Sequence, residues 1–260
     1  MNVEGSNSDI IGKKIFFLFP SAVVQNRIIG ELIQQEYEVY IAKNKDNLKR
    51  VLRQYPDSII FVDVNEHMAE NEWEMWIRGI MDAPDTKDVS IGIVTSNEND
   101  QAKQKYQTTL KVPCGYTVIN YDLEKIIGHL ISVLQEVGAK GRRKYIRAII
   151  DRVESNTSVN LSIDGNYVNG RIKDISAVGI SCTFENNLEI PKNTLLKDIQ
   201  VRLQTHLLKA EGIVFGSRME GTEKTYVILF TQRIDPEVRA KIRKYIQQHM
   251  QNKMDSQLDT

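Results

Sequence analysis

The apolar period of this chain changes once, at Gly138-Ala139-Lys140-Gly141, and that change limits it to two domains of different class. Upstream, short apolar runs alternate with segments whose apolar residues recur at helical spacing. Residues 14–19 precede Val23, Ile28, Ile29, Leu32 and Ile33, and residues 38–42 precede Leu48, Val51 and Leu52. Residues 58–64 precede Trp73, Trp76 and Ile77, the two tryptophans serving as core or as a docking surface. Residues 89–95 precede a more polar helix over 100–110, and residues 115–119 a closing helix over 122–137. Five βα units with short connections predict a doubly wound parallel sheet with helices on both faces. Downstream the period is two, over 148–153, 159–163, 167–175, 179–184, 198–203, 207–215 and 225–231. Asp164-Gly165 suits the positive φ of a type I′ hairpin turn. Such a run of strands predicts a closed or nearly closed antiparallel barrel. Asp235-Pro236 then opens a final helix, Asp as N-cap and Pro in the first turn, with Val238, Ile242, Tyr245, Ile246 and His249 as its apolar stripe.

The expected organisation is a disordered polar leader over 1–11, an α/β domain over 12–137, a linker over 138–147, a barrel with its helix over 148–250, and a disordered tail over 251–260. No run of eighteen apolar residues appears, so no membrane span is expected, and the first residues lack the basic and apolar regions of a secretory signal. Cys114 and Cys182 fall in different domains, which argues against a disulfide and fits a reducing cytoplasm. Charge divides the chain as period does. Residues 1–140 carry 15 Lys and Arg against 20 Asp and Glu, net −5, and residues 141–260 carry 19 against 14, net +5. The basic half suits an anionic ligand, but an excess this mild argues against general nucleic-acid binding.

Three guanidinium groups, Arg142, Arg143 and Arg147, crowd the start of that basic half. Each is a planar fork of donors matched to phosphate oxygens and to the O6/N7 edge of guanine. Asp174 and Ser176 then bring a carboxylate and a hydroxyl two residues apart, with Gly179 allowing close backbone approach. Together these groups suit a phosphate-rich guanine ligand. Two plainer readings stand beside it: a solvated basic linker, and a turn in which Asp174 and Ser176 cap backbone amides.

Arg143-x-x-x-Arg147 followed by Asp174-x-Ser176-x-x-Gly179 resembles the PilZ domain, a small β-barrel that binds the bacterial second messenger cyclic di-GMP. The resemblance covers roughly residues 141–250. It implies that Arg143 and Arg147 grip phosphates and guanine edges, that Asp174 and Ser176 hydrogen-bond the base, and that Gly179 admits the ligand. It further implies, through Arg142, a stacked pair of ligand molecules. Motility, attachment and virulence are the processes the family context suggests.

The first half resembles the receiver domain of two-component signalling, in layout more than in motif. Asp63 sits where the family is phosphorylated and Thr95 where it has its switch hydroxyl. The departures are larger. Phe19 and Pro20 replace the acidic pair that holds magnesium, and Ile119 and Asn120 stand in place of the lysine after the fifth strand. Phosphoryl charge cannot readily build on Asp63 without a metal or a lysine, which makes this half a pseudo-receiver for partner contact or self-association.

No nucleophile elbow, Walker-type loop or metal-ligand spacing is present, so no catalytic residue, metal or cofactor is expected. The expectation is a non-enzymatic receptor in which cyclic di-GMP pins a flexible linker, reorients the domains and offers a surface to an unidentified protein partner. The final helix and the receiver-like surface are the candidate faces of a homodimer. A scaffold that has lost nucleotide binding is the alternative, followed by a phosphorylation-controlled regulator.

Overall fold

The computed structural model describes residues 12–65, 67–151, 156–163, 166–185 and 188–258. They divide into two compact units, Met1–Lys144 with Gln251–Thr260, and Tyr145–Met250. The leader over 1–11 and the turn residues Asp164-Gly165 lie outside the described residues.

The first unit contains five parallel strands, β1 (Ile15–Leu18), β2 (Val39–Ala42), β3 (Ile59–Asp63), β4 (Ser90–Thr95) and β5 (Tyr116–Val118), in the order β2-β1-β3-β4-β5. Between them run α1, whose wide π-type turns Val24–Ile29 tighten into Gly30–Gln34, then α2 (Lys45–Gln54), α3 (Glu70–Met81), α4 (Asp100–Gln104, continued by π-type turns Lys105–Thr109) and α5 (Leu123–Glu136). Side-chain oxygens of Asn44, Asn99 and Asp122 accept from first-turn N–H groups of α2, α4 and α5, satisfying donors that have no partner within the helix. Every residue of β1 and β3 is buried, as a sheet covered on both faces requires. Trp73 is buried with Ile77 and Ile80, so it packs inward, and Trp76 meets it edge to face.

Gly138 differs from the expectation of a mobile linker. It follows α5 with φ +63° and closes a Schellman stop: its N–H bonds the carbonyl of Gln135, and that of Ala139 bonds Leu134. Ala139 is buried, its carbonyl accepts from the N–H of Lys13, and Gly12 bridges Lys140. Residues 138–140 are thus fixed to the first unit.

The second unit contains seven antiparallel strands, β6 (Arg147–Ile149), β7 (Thr157–Ile163), β8 (Asn166–Ser176), β9 (Gly179–Phe184), β10 (Leu195–Leu203), β11 (His206–Glu220) and β12 (Glu223–Phe230). Their order is β6-β8-β7-β10-β11-β12-β9, and β8 also pairs with β9. Six strands therefore close a barrel, with β6 added beside the far half of β8. Bulges lie between Leu196 and Ile199, Val214 and Gly216, and Ile172 and Asp174, supplying the bends that closure needs. Ile172, Ile175, Cys182, Val201 and Ile228 fill the interior together with Ile242, Tyr245 and Ile246 of the final helix α6 (Pro236–Leu258). Asp235 caps α6 through the N–H of Glu237.

The tail over 251–260 is not disordered through its length as expected: α6 continues to Leu258. Within the first unit, the Gln251 amide donates to the carbonyl of Ile41 and accepts from its N–H, both at 2.9 Å, and Met254 is buried. Polar composition misleads here because Gln, Lys and Met are good helix formers, and edge strand β2 leaves backbone groups for Gln251 to pair.

Candidate functional site

The expected site residues of the second unit come from three adjacent strands. Arg147 opens β6, Asp174 and Ser176 end β8, and Gly179 opens β9. Arg147 lies opposite Ser176, Ile149 opposite Asp174, and Asp174 opposite Ser181. Strict alternation would not carry Asp174 outward with Ile172 and Ile175 both inward. The bulge at Lys173 inserts the extra residue and leaves both Lys173 and Asp174 partly exposed.

Arg147 donates to Asp174 at 3.4 Å, with the side chains 44% and 23% exposed. A long, wet pair of this kind contributes little to stability. Ser176 is only 5% exposed. Its hydroxyl donates to the Gly179 carbonyl at 3.2 Å and accepts from the Val178 N–H at 3.4 Å, so it staples the hairpin turn. Gly179 is required by packing: a Cβ there would stand 2.4 Å from the Ile228 carbonyl oxygen and 3.2 Å from Leu229 Cδ2.

The neighbouring cations are already neutralised. Arg171 donates twice to Glu223, at 3.0 and 2.9 Å, and Lys173 donates to Glu220 and to Thr225, each at 2.7 Å. Hydrogen bonds from Lys173 and Arg218 pull the Glu220 carboxyl down to about 2. Under this face Cys182 is buried, and burial pushes its thiol well above its ordinary range. Arg142 and Arg143 belong to the first unit, are exposed, and engage no hydrogen bond or ion pair among the described residues.

The first unit has its own concavity, about 360 Å³, lined by Phe19, Pro20, Asp63, Asn65, His67 and Ser96 among others. Asp63 is buried and accepts from the N–H of Ser21 at 3.1 Å and of Asn65 at 3.2 Å, and from the Asn65 amide. Burial raises its carboxyl above the usual range, opposed by those same hydrogen bonds. Asn65 also accepts from the Thr95 hydroxyl at 2.7 Å and the Ser96 N–H at 2.9 Å, so one amide bridges Asp63 and Thr95. Phe19 and His67, both at positive φ, stack with centroids 4.1 Å apart at the rim. Among the described residues no cluster of three His, Cys, Asp or Glu side chains could hold a metal ion.

Residues 141–248 match the model of the PilZ domain. Among solved structures the chain is similar to the PilZ domain with c-di-GMP of YcgR from Escherichia coli, at 14% identity and TM-score 0.38, covering 44% of this chain and 96% of that one. It is also similar to the Bacillus subtilis inhibitor of motility MotI/DgrA, at 18% identity and TM-score 0.37, covering 43% of this chain and 52% of that one. The manganese-bound response regulator Rcp1 is similar at 18% identity and TM-score 0.38, with 47% of this chain and 92% of that one covered. No curated protein matches the chain.

Proposed function

We propose that this chain, whose residues 141–248 form a PilZ domain, is a non-enzymatic receptor for cyclic di-GMP. The observation that carries the reading is the state of the arginines. Arg142 and Arg143 are exposed and engage no partner among the described residues, and among these residues the Arg147 guanidinium has only a long pair to Asp174. A scaffold would be expected to bind its own basic side chains to its own carboxylates, as happens at Arg171 and Lys173. Open guanidinium forks, and one more paired only loosely to a carboxylate, suit a ligand that carries both phosphates and guanine edges.

In this reading Arg142, Arg143 and Arg147 take phosphate and guanine oxygens, and Asp174 accepts from the base. Ser176 and Gly179 hold the turn in shape. A second, stacked ligand would engage Arg142. Binding engages the Arg142 and Arg143 side chains and changes the surface offered to a protein partner. The two buried free thiols support a reducing, cytoplasmic setting. No helix among the described residues is long and apolar enough to cross a membrane. The commitment of the Ser176 hydroxyl to its own turn favours the scaffold as the second reading.

Isothermal titration calorimetry with cyclic di-GMP, beside linear pGpG and GTP, tests the proposal. Tight binding of the cyclic dinucleotide alone is expected, with two ligands per chain if Arg142 acts as proposed. Absence of heat and of competition would leave the scaffold.

A further inference from the structure

The register of the barrel draws one row across its outer face: Arg147, Ser176, Gly179, Leu229, Ile213 and Leu195, each directly opposite the next. Directly opposed residues of antiparallel strands share a face. The row begins with three motif positions and continues as three aliphatic side chains that are 39%, 41% and 45% exposed at Leu229, Ile213 and Leu195. Their chain neighbours Ile228, Val214 and Leu196 point inward and are buried.

Gly179 itself is buried against β12, where a Cβ would meet the Ile228 carbonyl oxygen at 2.4 Å and both Cα and Cδ2 of Leu229 at 3.2 Å. A molecule laid along the row past Gly179 therefore meets the half-exposed Leu229 side chain next. Strands lie ~4.8 Å apart, so Leu229 stands on the order of 14 Å along the row from Arg147. One molecule that carries phosphates at one end and a flat, weakly polar purine face at the other can bridge that interval.

Resting on the receptor reading above, we propose that Leu229, with Ile213 behind it, is the apolar floor of the nucleotide site and takes the face of a purine base. The polar motif reads the edges and phosphates of the ligand, and the aliphatic strip removes a base face from water. The occupant is argued from continuity: the strip begins at the motif glycine and lies on the same face as the arginine end of the row. Burial of apolar surface on binding gives a negative heat-capacity change, which hydrogen bonding alone does not.

The test is calorimetry of the full chain with cyclic di-GMP at several temperatures, for wild type and Leu229→Asn, Leu229→Met, Ile213→Asn and Leu207→Asn. Leu229→Asn should weaken binding roughly tenfold, the lower end of what loss of an apolar contact in a pocket produces, and make the heat-capacity change less negative. Leu229→Met should bind as wild type, Ile213→Asn should lose less, and Leu207→Asn, exposed but off the row, should lose nothing. Should Leu229→Asn fail to fold, Ile213→Asn carries the test. Unchanged affinity and heat capacity in the Asn variants, with binding weakened by Arg143→Ala, would overturn the floor and leave the receptor standing. Wild type that binds nothing would overturn both. A variant that dissociates a dimer in sedimentation without changing affinity would make the strip a self-association face and end the proposal.

Discussion

Ser176 is bonded to Gly179: its hydroxyl donates to the glycine carbonyl at 3.2 Å and closes the hairpin on which Asp174 is carried. Half of the acidic motif is therefore structural and half is open to solvent. Ser176→Ala should lose about 1 kcal/mol of stability, the usual contribution of one hydrogen bond. Asp174→Asn should leave stability within ~1 kcal/mol, because its pair with Arg147 is exposed, while weakening ligand binding. Urea unfolding beside calorimetry separates the two effects. A Ser176→Ala variant as stable as wild type would show that the turn does not depend on the hydroxyl.

Arg143→Ala and Arg147→Ala should each weaken cyclic di-GMP binding by about 1.5–3 kcal/mol, or roughly 10–150-fold, with the melting temperature unchanged. Arg147→Lys should not restore affinity, since a lysine ammonium cannot present two parallel donors to a phosphate or a guanine edge. Equal affinity for Arg147→Lys and wild type would mean that only charge is read.

Gly179→Ala should destabilise the barrel by about 1–3 kcal/mol, because the added Cβ would stand 2.4 Å from the Ile228 carbonyl and strands β9 and β12 must part. Ligand affinity in the surviving folded fraction should fall with it. Chemical unfolding of the variant measures the first effect, and normal stability would show that β12 yields without cost.

Glu220 fixes a pH window. Its folded carboxyl titrates at about 2, below the ordinary 4.5, so its contribution is fully present above 4.5 and is lost as pH falls through about 2. Wild type should therefore lose more stability over that interval than Glu220→Gln. Parallel pH profiles for the two proteins would contradict the assignment.

Incubation with a small phosphodonor and magnesium should add no phosphoryl group to Asp63, whose oxygens accept from Ser21 and Asn65, with Phe19 and Pro20 in place of the receiver's acidic pair. Intact mass reads the result directly, and a stable gain of one phosphoryl would restore a phosphorylation-controlled regulator.

Both folds are legible because each buried face repeats at its own period, 3.6 along α3 and α5 and 2 along residues 208–214 of β11 and along the end of β12. Where a segment has no buried face, the period vanishes. Ser217, Arg218 and Met219 are all exposed, so the extension of β11 to Glu220 gives no alternating signal. Sequence alone does not distinguish Gly138 from a linker glycine, because a glycine between domains and a glycine in a Schellman stop differ only in the bonds that the Gln135 and Leu134 carbonyls receive. At the site, the arginines and Asp174 are visible through residue type and spacing. The bulge at Lys173 and the pairing of Gly179 with Leu229 are not, since they depend on which distant strands become neighbours.

The helix stop at Gly138 has a consequence for affinity. Because Lys140 is pinned by Gly12, Arg143 lies three residues beyond a fixed point and its backbone reaches no farther than about 11 Å from it. On the receptor reading, the first two guanidinium groups are presented from a small volume about that point, so effective concentration as well as contact strength sets what they add to binding. Length added after Gly141 would then dilute them without altering any contact proposed for the ligand.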